Sequence, residues 1–431
     1  MTWAGGVHDT GLMQRISRIL TARAGLLRDY ATAVSGSAGR LIFSLVYFVA
    51  LANTLSIAEF GLFATASAAG VMLSRLLAFG FVSALYRAAT VKPLLIGVFT
   101  GGFVVLALLS LPVVAAAAYG AWLVFFAPEM AAGVFALLIA AETLLWRPVE
   151  AVIIVNNGMG RFGRAAALAI LTTAIRAAAA LVFAFWPTQD LASWAAFYLA
   201  ANALSLAVAA GFFYPRRRIR LRMRLYLRRL ADSVYVAGAE VIFYLQMEMD
   251  KLLVLAIGGP HLAGIYAIIM RLIDLTAIPI RTFTMMLVQR MMRAPEMLSR
   301  ARLRIGVEAG VFAVSTAGLL ALALALRLEP TLLGGNVAEA APLILLALFV
   351  PGLRNLVEYH AELLFARGQT LLRILNLALL AGLKALLLAA LLLHADGTAA
   401  VVLALNPAFA LLYLASAGLT YSAMRMRPRS F

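Results

Sequence analysis

The sequence has no cysteine and only four histidines, at positions 8, 261, 360 and 394. Disulfides and thiolate metal sites are therefore excluded, and the histidine spacing does not match an HExxH zinc site. Lysine is also scarce, with three in the chain, and no GxxxxGK[ST] loop occurs, so a phosphate loop for ATP is not expected. No cofactor and no metal ion are predicted.

Charge is scarce as well: 13% of the residues are charged, about half of the usual ~25%, and 64% are hydrophobic. The mean hydropathy is +0.97. Apolar runs of about twenty residues recur, which is the length of a helix that crosses a ~30 Å hydrocarbon core. Helices satisfy their own backbone hydrogen bonds in lipid. The composition therefore predicts an all-α integral membrane protein.

Twelve spans are predicted, with both termini on the cytoplasmic side of a bacterial inner membrane. They cover residues 41–57, 61–85, 94–118, 131–155, 165–186, 191–213, 234–257, 262–285, 305–326, 340–364, 371–393 and 399–423. The predicted domains are a cytoplasmic amphipathic segment (1–38), a six-helix bundle (39–214), a basic cytoplasmic linker (215–233), a second six-helix bundle (234–424) and a cytoplasmic tail (425–431).

The basic residues support this orientation, because 26 of the 36 Lys and Arg fall in cytoplasmic segments and one, Arg327, falls outside. The net charge of +17 is thus mainly a topology signal, and nucleic-acid binding is not expected. The linker sequence RRRIRLRMRLYLRRL at 216–230 predicts contact with anionic lipid headgroups. Residues 12–28 predict an amphipathic helix on the inner membrane surface.

The two halves of the sequence resemble each other. AEFGLFA at 58–64 matches HLAGIYA at 261–267, which aligns Gly61 with Gly264. A similar shift aligns Gly160 with Gly368 and Glu150 with Glu358. Six spans separate the copies, so both have the same orientation, as in transporters whose halves are related by an axis along the membrane normal.

These segments, with MDKLLVLAIGGPHLAGIYAI at 249–268 and GMGRFGR at 158–164, make the chain resemble the polysaccharide flippases. These form the lipid-linked oligosaccharide branch of the multidrug/oligosaccharidyl-lipid/polysaccharide exporter superfamily. The resemblance implies two six-helix bundles in a V around a central cavity. It also implies flipping of undecaprenyl-diphosphate-linked glycans to the outer leaflet, with a polysaccharide polymerase and glycosyltransferases as partners.

Nine basic and nine acidic residues fall within the predicted spans, where each costs ~2.5–3.5 kcal/mol unless it meets water or a partner. Arginine suits a diphosphate because its planar fork bonds two oxygens at once. The candidate substrate-binding residues are Arg75, Arg147, Arg176, Arg271 and Arg354. Arg75 and Arg176 are the sharper candidates, because neither has an acidic residue within one turn of its own helix.

The candidate ion- or proton-coupling residues are Glu248, Asp250 and Asp274. Structural alternatives remain open for several of these groups. Arg147–Glu150 and Arg354–Glu358 have the spacing of ion pairs within a helix, and Asp250 has Lys251 or Arg271 as possible partners.

Three other functions compete with flipping. A cation-coupled multidrug exporter of the same architecture would prefer an acidic or aromatic cavity. A membrane glycan polymerase or glycosyltransferase would need a sizeable outer loop, and the longest here, 119–130 and 327–339, have about a dozen residues. The many charges within the spans disfavour a membrane scaffold. The chain is therefore predicted not to be an enzyme.

Overall fold

The computed structural model describes residues 39–215, 217–293 and 301–425. The predicted amphipathic helix at 12–28 lies outside these residues. The helices, in chain order, are α1 Gly39–Thr54, α2 Ile57–Ser74, α3 Val82–Val91, α4 Ile96–Phe125, α5 Ala132–Ala140, α6 Arg147–Gly158, α7 Phe162–Ala184, α8 Leu191–Val208, α9 Met223–Arg293, α10 Ala301–Leu328, α11 Gly335–Ile344, α12 Val350–Ala366, α13 Thr370–His394 and α14 Thr398–Arg425.

These helices account for the twelve predicted spans. Eight helices of the described residues are long and apolar enough to cross a membrane, and α11 with α12 forms a further span bent by 67°. The long α9 breaks at Gly259, where φ is 77°, and so covers spans seven and eight in two limbs, 223–258 and 260–293. The short α1 is span one, α3 continues α2, and a π turn at Ala141–Trp146 joins α5 to α6 in span four.

The interruption of span two has no counterpart in the hydrophobic pattern. After α2 ends, Ala78 and Phe79 adopt left-handed φ angles of 55° and 48°. Such angles are strained for residues with a side chain. The Ala78 N–H, freed from helical pairing, donates to Ser110 Oγ on α4 at 2.9 Å. This bond meets the requirement that a backbone group inside the membrane has a partner.

A capping box fixes the N-terminus of α2. Ser56 Oγ accepts from the Glu59 N–H at 3.3 Å, and Glu59 Oε2 accepts from the Ser56 N–H at 3.1 Å. The second carboxylate oxygen of Glu59 accepts from the Leu191 N–H at the start of α8, also at 3.1 Å. One glutamate thus sets where two spans of the first half begin.

The halves meet where α2 crosses the second limb of α9, at the two glycines of the repeat. A Cβ atom on Gly61 would overlap the Gly264 nitrogen and the Pro260 carbonyl oxygen. A Cβ on Gly264 would overlap the Ile57 carbonyl oxygen. Small residues permit such close backbone contact between spans. The two glycines that the sequence repeat aligns therefore contact each other where the halves meet.

Two asparagines add hydrogen bonds at the same end of the molecule. Asn53 Nδ2 donates to the Leu333 carbonyl at 2.7 Å, and Asn336 Nδ2 donates to the Leu55 carbonyl at 2.7 Å. The largest buried apolar cluster includes residues of both halves, among them Leu51 and Ile268. The first and second halves are thus joined at the end of the spans that the basic residues assign to the outside.

We expect Gly61→Ala to lower the free energy of unfolding by about 1–3 kcal/mol, because the added methyl overlaps backbone atoms of α9. Gly306→Ala is the matched control, since Gly306 lies in α10 with open space around its Cβ position. Thermal unfolding of the purified variants measures both. Equal stability of the two variants would contradict the close contact of the halves.

Candidate functional site

A network of four charged residues lies in the first half. Arg147, 1% exposed, donates to Glu150 at 2.7 Å and to Glu240 at 2.8 Å. Arg75, at the C-terminus of α2, contacts the same Glu150 at 3.0 Å and lies over the Tyr244 ring at 4.2 Å. Two arginines and two glutamates from α2, α6 and α9 thus neutralise each other. Arg75, one of the sharper substrate candidates, has a carboxylate partner on another span.

The second half contains a matching network. Arg281 donates to Glu358 at 2.9 Å and to Asp274 at 3.0 Å. Arg354 lies 3.5 Å from Asp274 and 3.9 Å from Glu358. This network is again formed by two arginines and two carboxylates. It contains two of the sequence-predicted site residues, Arg354 and Asp274.

The internal repeat relates these two networks. Arg75 and Glu150 are 75 residues apart, and Arg281 and Glu358 are 77 apart. In each half the arginine lies on the second span and the glutamate lies on the fourth span. Gly160 and Gly368, which follow those fourth spans, have φ angles of 72° and 75°. The repeat therefore extends from the turns to the buried ion pairs.

The coupling candidates Glu248 and Asp250 each have a cationic partner. Lys251 donates to Glu248, one turn away on the same limb of α9. Asp250, 3% exposed, lies 2.9 Å from Lys384 Nζ on α13, and its second contact is the Tyr266 hydroxyl at 2.6 Å. The partner of Asp250 is therefore Lys384, and the expectation that it would be Lys251 or Arg271 is wrong. Sequence spacing could not reveal a partner 134 residues away.

Arg176 and Arg271 differ from the other seven basic residues of the predicted spans. Arg176 donates to Asn202 Oδ1 at 2.6 Å and stacks over the Trp146 ring at 3.9 Å. Arg271 donates to Ser44 Oγ at 2.5 Å. Among the described residues, neither forms a salt bridge with a carboxylate, whereas the other seven each do. Both side chains are partly exposed.

Arg40 joins them and was missed at the sequence level. Arg40, Ser44 and Tyr47 are spaced i, i+4, i+7 and so lie on one face of α1. Arg40 and Tyr47 both interact electrostatically with Arg176 and Arg271. Arg40 forms no salt bridge with a described carboxylate. Arg40 stands just before predicted span one, where a basic residue indicates topology. Its spacing to Ser44 and Tyr47 is nevertheless visible in the sequence.

The arginine site, defined as Arg40, Arg176 and Arg271, lies between the halves. Arg176 belongs to α7 of the first half, and Arg271 reaches Ser44 of α1 from the second half. At 1.5 Å per residue, Arg176 lies about 12 Å from the C-terminus of α7 and Arg271 about 16 Å from the start of the second limb of α9, which is about half of a ~30 Å hydrocarbon core. The paired Arg75 lies about 27 Å from the N-terminus of α2.

The first half also holds a carboxylate without a basic partner next to the arginine site. Glu142, in the π turn, accepts from Tyr198 Oη at 2.5 Å and from Ser67 Oγ at 2.7 Å. The Tyr198 ring lies 5.3 Å from the Arg176 guanidinium. The Asn202 amide and the aromatic rings thus position Arg176, and Glu142 acts on it electrostatically without forming a salt bridge with it. In the part of the chain that the structure describes, no group of three or more His, Asp or Glu is placed to hold a metal ion.

No family model matches the chain, and no curated protein matches its sequence. Solved structures do match. A multidrug resistance MATE family transporter of the MOP superfamily, in an inward-facing conformation, aligns with a TM-score of 0.60 and 13% identity over 90% of this chain and 94% of its own. This protein has the MATE transporter fold.

Two further MATE structures agree. The complex with MaD3S has a TM-score of 0.57 at 12% identity, covering 90% of this chain and 95% of that one. The complex with MaL6 has a TM-score of 0.53 at 13% identity, covering 91% and 94%. The predicted architecture of about twelve spans in two six-helix bundles, arranged as a V around a central cavity, is thereby confirmed.

We expect Lys384→Met to destabilise the protein by about 3–5 kcal/mol, because it leaves the buried Asp250 carboxylate without its cation. The double variant Lys384→Met/Asp250→Asn should recover much of this loss, because both charges are then gone. Abundance in the membrane and thermal unfolding measure the effect. If the double variant were no more stable than Lys384→Met, the role of the pair Lys384–Asp250 would not be mainly structural.

Proposed function

We propose that this protein is a transporter that flips a lipid-linked oligosaccharide, carried on a polyprenyl diphosphate, between membrane leaflets by alternating access. The supporting observation is the arginine site between the halves. Arg176 and Arg271 of this site have amide, hydroxyl and aromatic partners but no salt bridge with a carboxylate of the described residues.

The physical argument is one of charge balance. A guanidinium near mid-membrane is costly unless water or an anion meets it. Seven intramembrane basic residues have carboxylate partners within the protein, while Arg176 and Arg271 form no salt bridge with a carboxylate of the described residues. A diphosphate supplies the missing negative charge, and its oxygens match the bidentate geometry of arginine. The direct partners of Arg176 and Arg271 are neutral, which leaves their cationic forks available to a ligand.

The location of the site suits alternating access. Arg176 and Arg271 come from different halves, so rocking of the halves changes the distance between them. The halves touch at the outer ends through Gly61 and Gly264. Access to the arginine site in this conformation is therefore from the opposite side, where a lipid-linked precursor built in the cytoplasm would be loaded.

Coupling by Glu248, Asp250 and Asp274 remains a proposal. Each carboxylate is held by a basic residue in this conformation. Uptake of an ion or proton at any of them would compete with that partner. The coupling step would therefore involve an exchange of ion pairs rather than the filling of an empty site.

A cation-coupled multidrug exporter is the second candidate, because a structure with the same fold is that of a multidrug resistance transporter. A cationic drug would meet the positive charges of Arg40, Arg176 and Arg271 between the halves. Such a site attracts anions and repels cations. The arginine site therefore favours the flippase.

Deleting the gene should stop export of a surface or secreted polysaccharide, with lipid-linked precursor left on the inner leaflet. Complementation with Arg176→Lys should be partial, because charge is kept and the fork is lost, and Arg176→Ala should fail. The same order is expected for Arg271. Glycan export and leaflet-specific labelling of the precursor are the measurements.

Arg327→Ala is the control, since Arg327 is an exposed arginine at the outer end of α10 and its loss should not affect export. Membrane abundance of every variant is measured in parallel. Full export by both Ala variants at normal abundance would remove these residues from substrate binding. Normal glycan export in the deletion strain, with new sensitivity to cationic drugs, would favour the exporter.

A further inference from the structure

A groove separate from the arginine site runs along the first half, at the end of the spans that the basic residues assign to the cytoplasm. Its volume is about 680 Å³. One wall is α3 and the other is the first part of α9, and Leu95 and Phe99 of the α4 region form its floor. We call it the basic groove.

The walls of the basic groove are single faces of two helices. Leu225, Arg229, Asp232 and Val236 follow the spacing i, i+4, i+7, i+11 along α9, so they share one face. The opposite wall repeats the spacing i, i+4, i+7 on α3 with Ser83, Arg87 and Thr90. The groove is therefore a regular feature of helix packing rather than a gap in a loop.

A buried tyrosine holds the linker wall in place. Tyr226, fully buried, donates to the Val98 carbonyl at 2.8 Å, and its ring packs against Phe81 at 5.8 Å. Its hydroxyl oxygen accepts from the Arg222 N–H at 2.9 Å. These contacts attach the basic linker to α4 and fix the orientation of the face that carries Arg229.

The charge of the basic groove is positive at its shallow end. Arg87, Lys92 and Arg229 line it, and all three side chains are exposed. The single carboxylate, Asp232, lies 3.6 Å from Arg229 and offsets one of the three. The deep end is formed by small and apolar groups, including Ala84 and Val236. Cations at the surface and apolar walls below match an anionic headgroup followed by a hydrocarbon chain.

We propose that the basic groove binds an anionic phospholipid of the inner leaflet. Its phosphate lies among Arg87, Lys92 and Arg229, and one acyl chain runs between α3 and α9 towards Val236. A bound lipid then connects the linker to span two, which is broken at Ala78 and Phe79 a few residues away. This site is independent of the arginine site and of the substrate transported there.

The test uses the full chain in phosphatidylcholine nanodiscs, with binding of phosphatidylglycerol measured by native mass spectrometry. We expect Arg87→Ala/Lys92→Ala/Arg229→Ala to weaken binding about a hundredfold, since each basic residue near an anionic headgroup contributes roughly fivefold. Val236→Trp keeps every charge and fills the apolar end, and it should also abolish tight binding.

The matched control is Arg217→Ala/Arg218→Ala/Arg224→Ala, which removes the same charge from exposed linker positions outside the basic groove. It should weaken binding less than about fivefold. Equal losses in the two triple variants would overturn the proposal, because general attraction to the membrane surface would then explain the binding. Unfolding temperatures confirm that each variant is folded.

Two competing ligands test whether the phosphate bound in the basic groove belongs to a phospholipid, to free phosphate or to a polyprenyl diphosphate. Inorganic phosphate should not displace phosphatidylglycerol, because it cannot fill the apolar end. A polyprenyl diphosphate should also leave phosphatidylglycerol in place, because we propose that it binds at the separate arginine site. Suppose instead that either ligand displaces phosphatidylglycerol from the wild type, and that binding of this ligand is lost only in the groove variants. The assignment of the groove to a phospholipid would then be overturned.

Discussion

The cost of a charge in the membrane is the constraint on which the arrangement of this protein depends. Each ionisable side chain within a span needs a partner, and most partners come from another span. These pairs connect α2 to α6, α9 to α12, and α9 to α13. The same constraint makes the exceptions informative. Arg176 and Arg271 have no carboxylate partner among the described residues, and they lie where the halves meet.

The repeat gives the two halves the same ion pairs but different sites. Arg75–Glu150 and Arg281–Glu358 are related by the repeat, as are the turns at Gly160 and Gly368. The shift of 208 residues that aligns Glu150 with Glu358 also aligns Arg176 with Lys384. Lys384 pairs with Asp250, whereas the contacts of Arg176 with described residues are to an amide and to aromatic rings. The symmetry is therefore broken at the position where we propose that the substrate binds.

The sequence predicted the spans and the repeat because both depend on local patterns. Apolar runs gave twelve spans, and glycine and glutamate positions gave the repeat. The π turn of span four and the left-handed residues Ala78 and Phe79 leave no such pattern, because tertiary contacts such as the Ser110 hydrogen bond stabilise them.

The partners of charged residues were less predictable. The pair Arg147–Glu150 can be predicted from its i, i+3 spacing. By contrast, Arg75 and its partner Glu150 are 75 residues apart in the sequence, and Asp250 and Lys384 are 134 apart. Only the fold brings such groups together. Arg40 was assigned to topology, although the face it shares with Ser44 and Tyr47 was visible in the sequence.

The central claim is that Arg176 and Arg271 bind phosphate oxygens, and solid-state NMR tests it directly. Protein labelled with ¹⁵N at arginine, reconstituted with a polyprenyl diphosphate, is measured for ³¹P–¹⁵N dipolar contact. The account predicts contact between the diphosphate and guanidinium nitrogens in the wild type, and its loss in Arg176→Ala/Arg271→Ala with Arg75 intact. Absence of contact in the wild type, or contact that persists in the double variant, would contradict it.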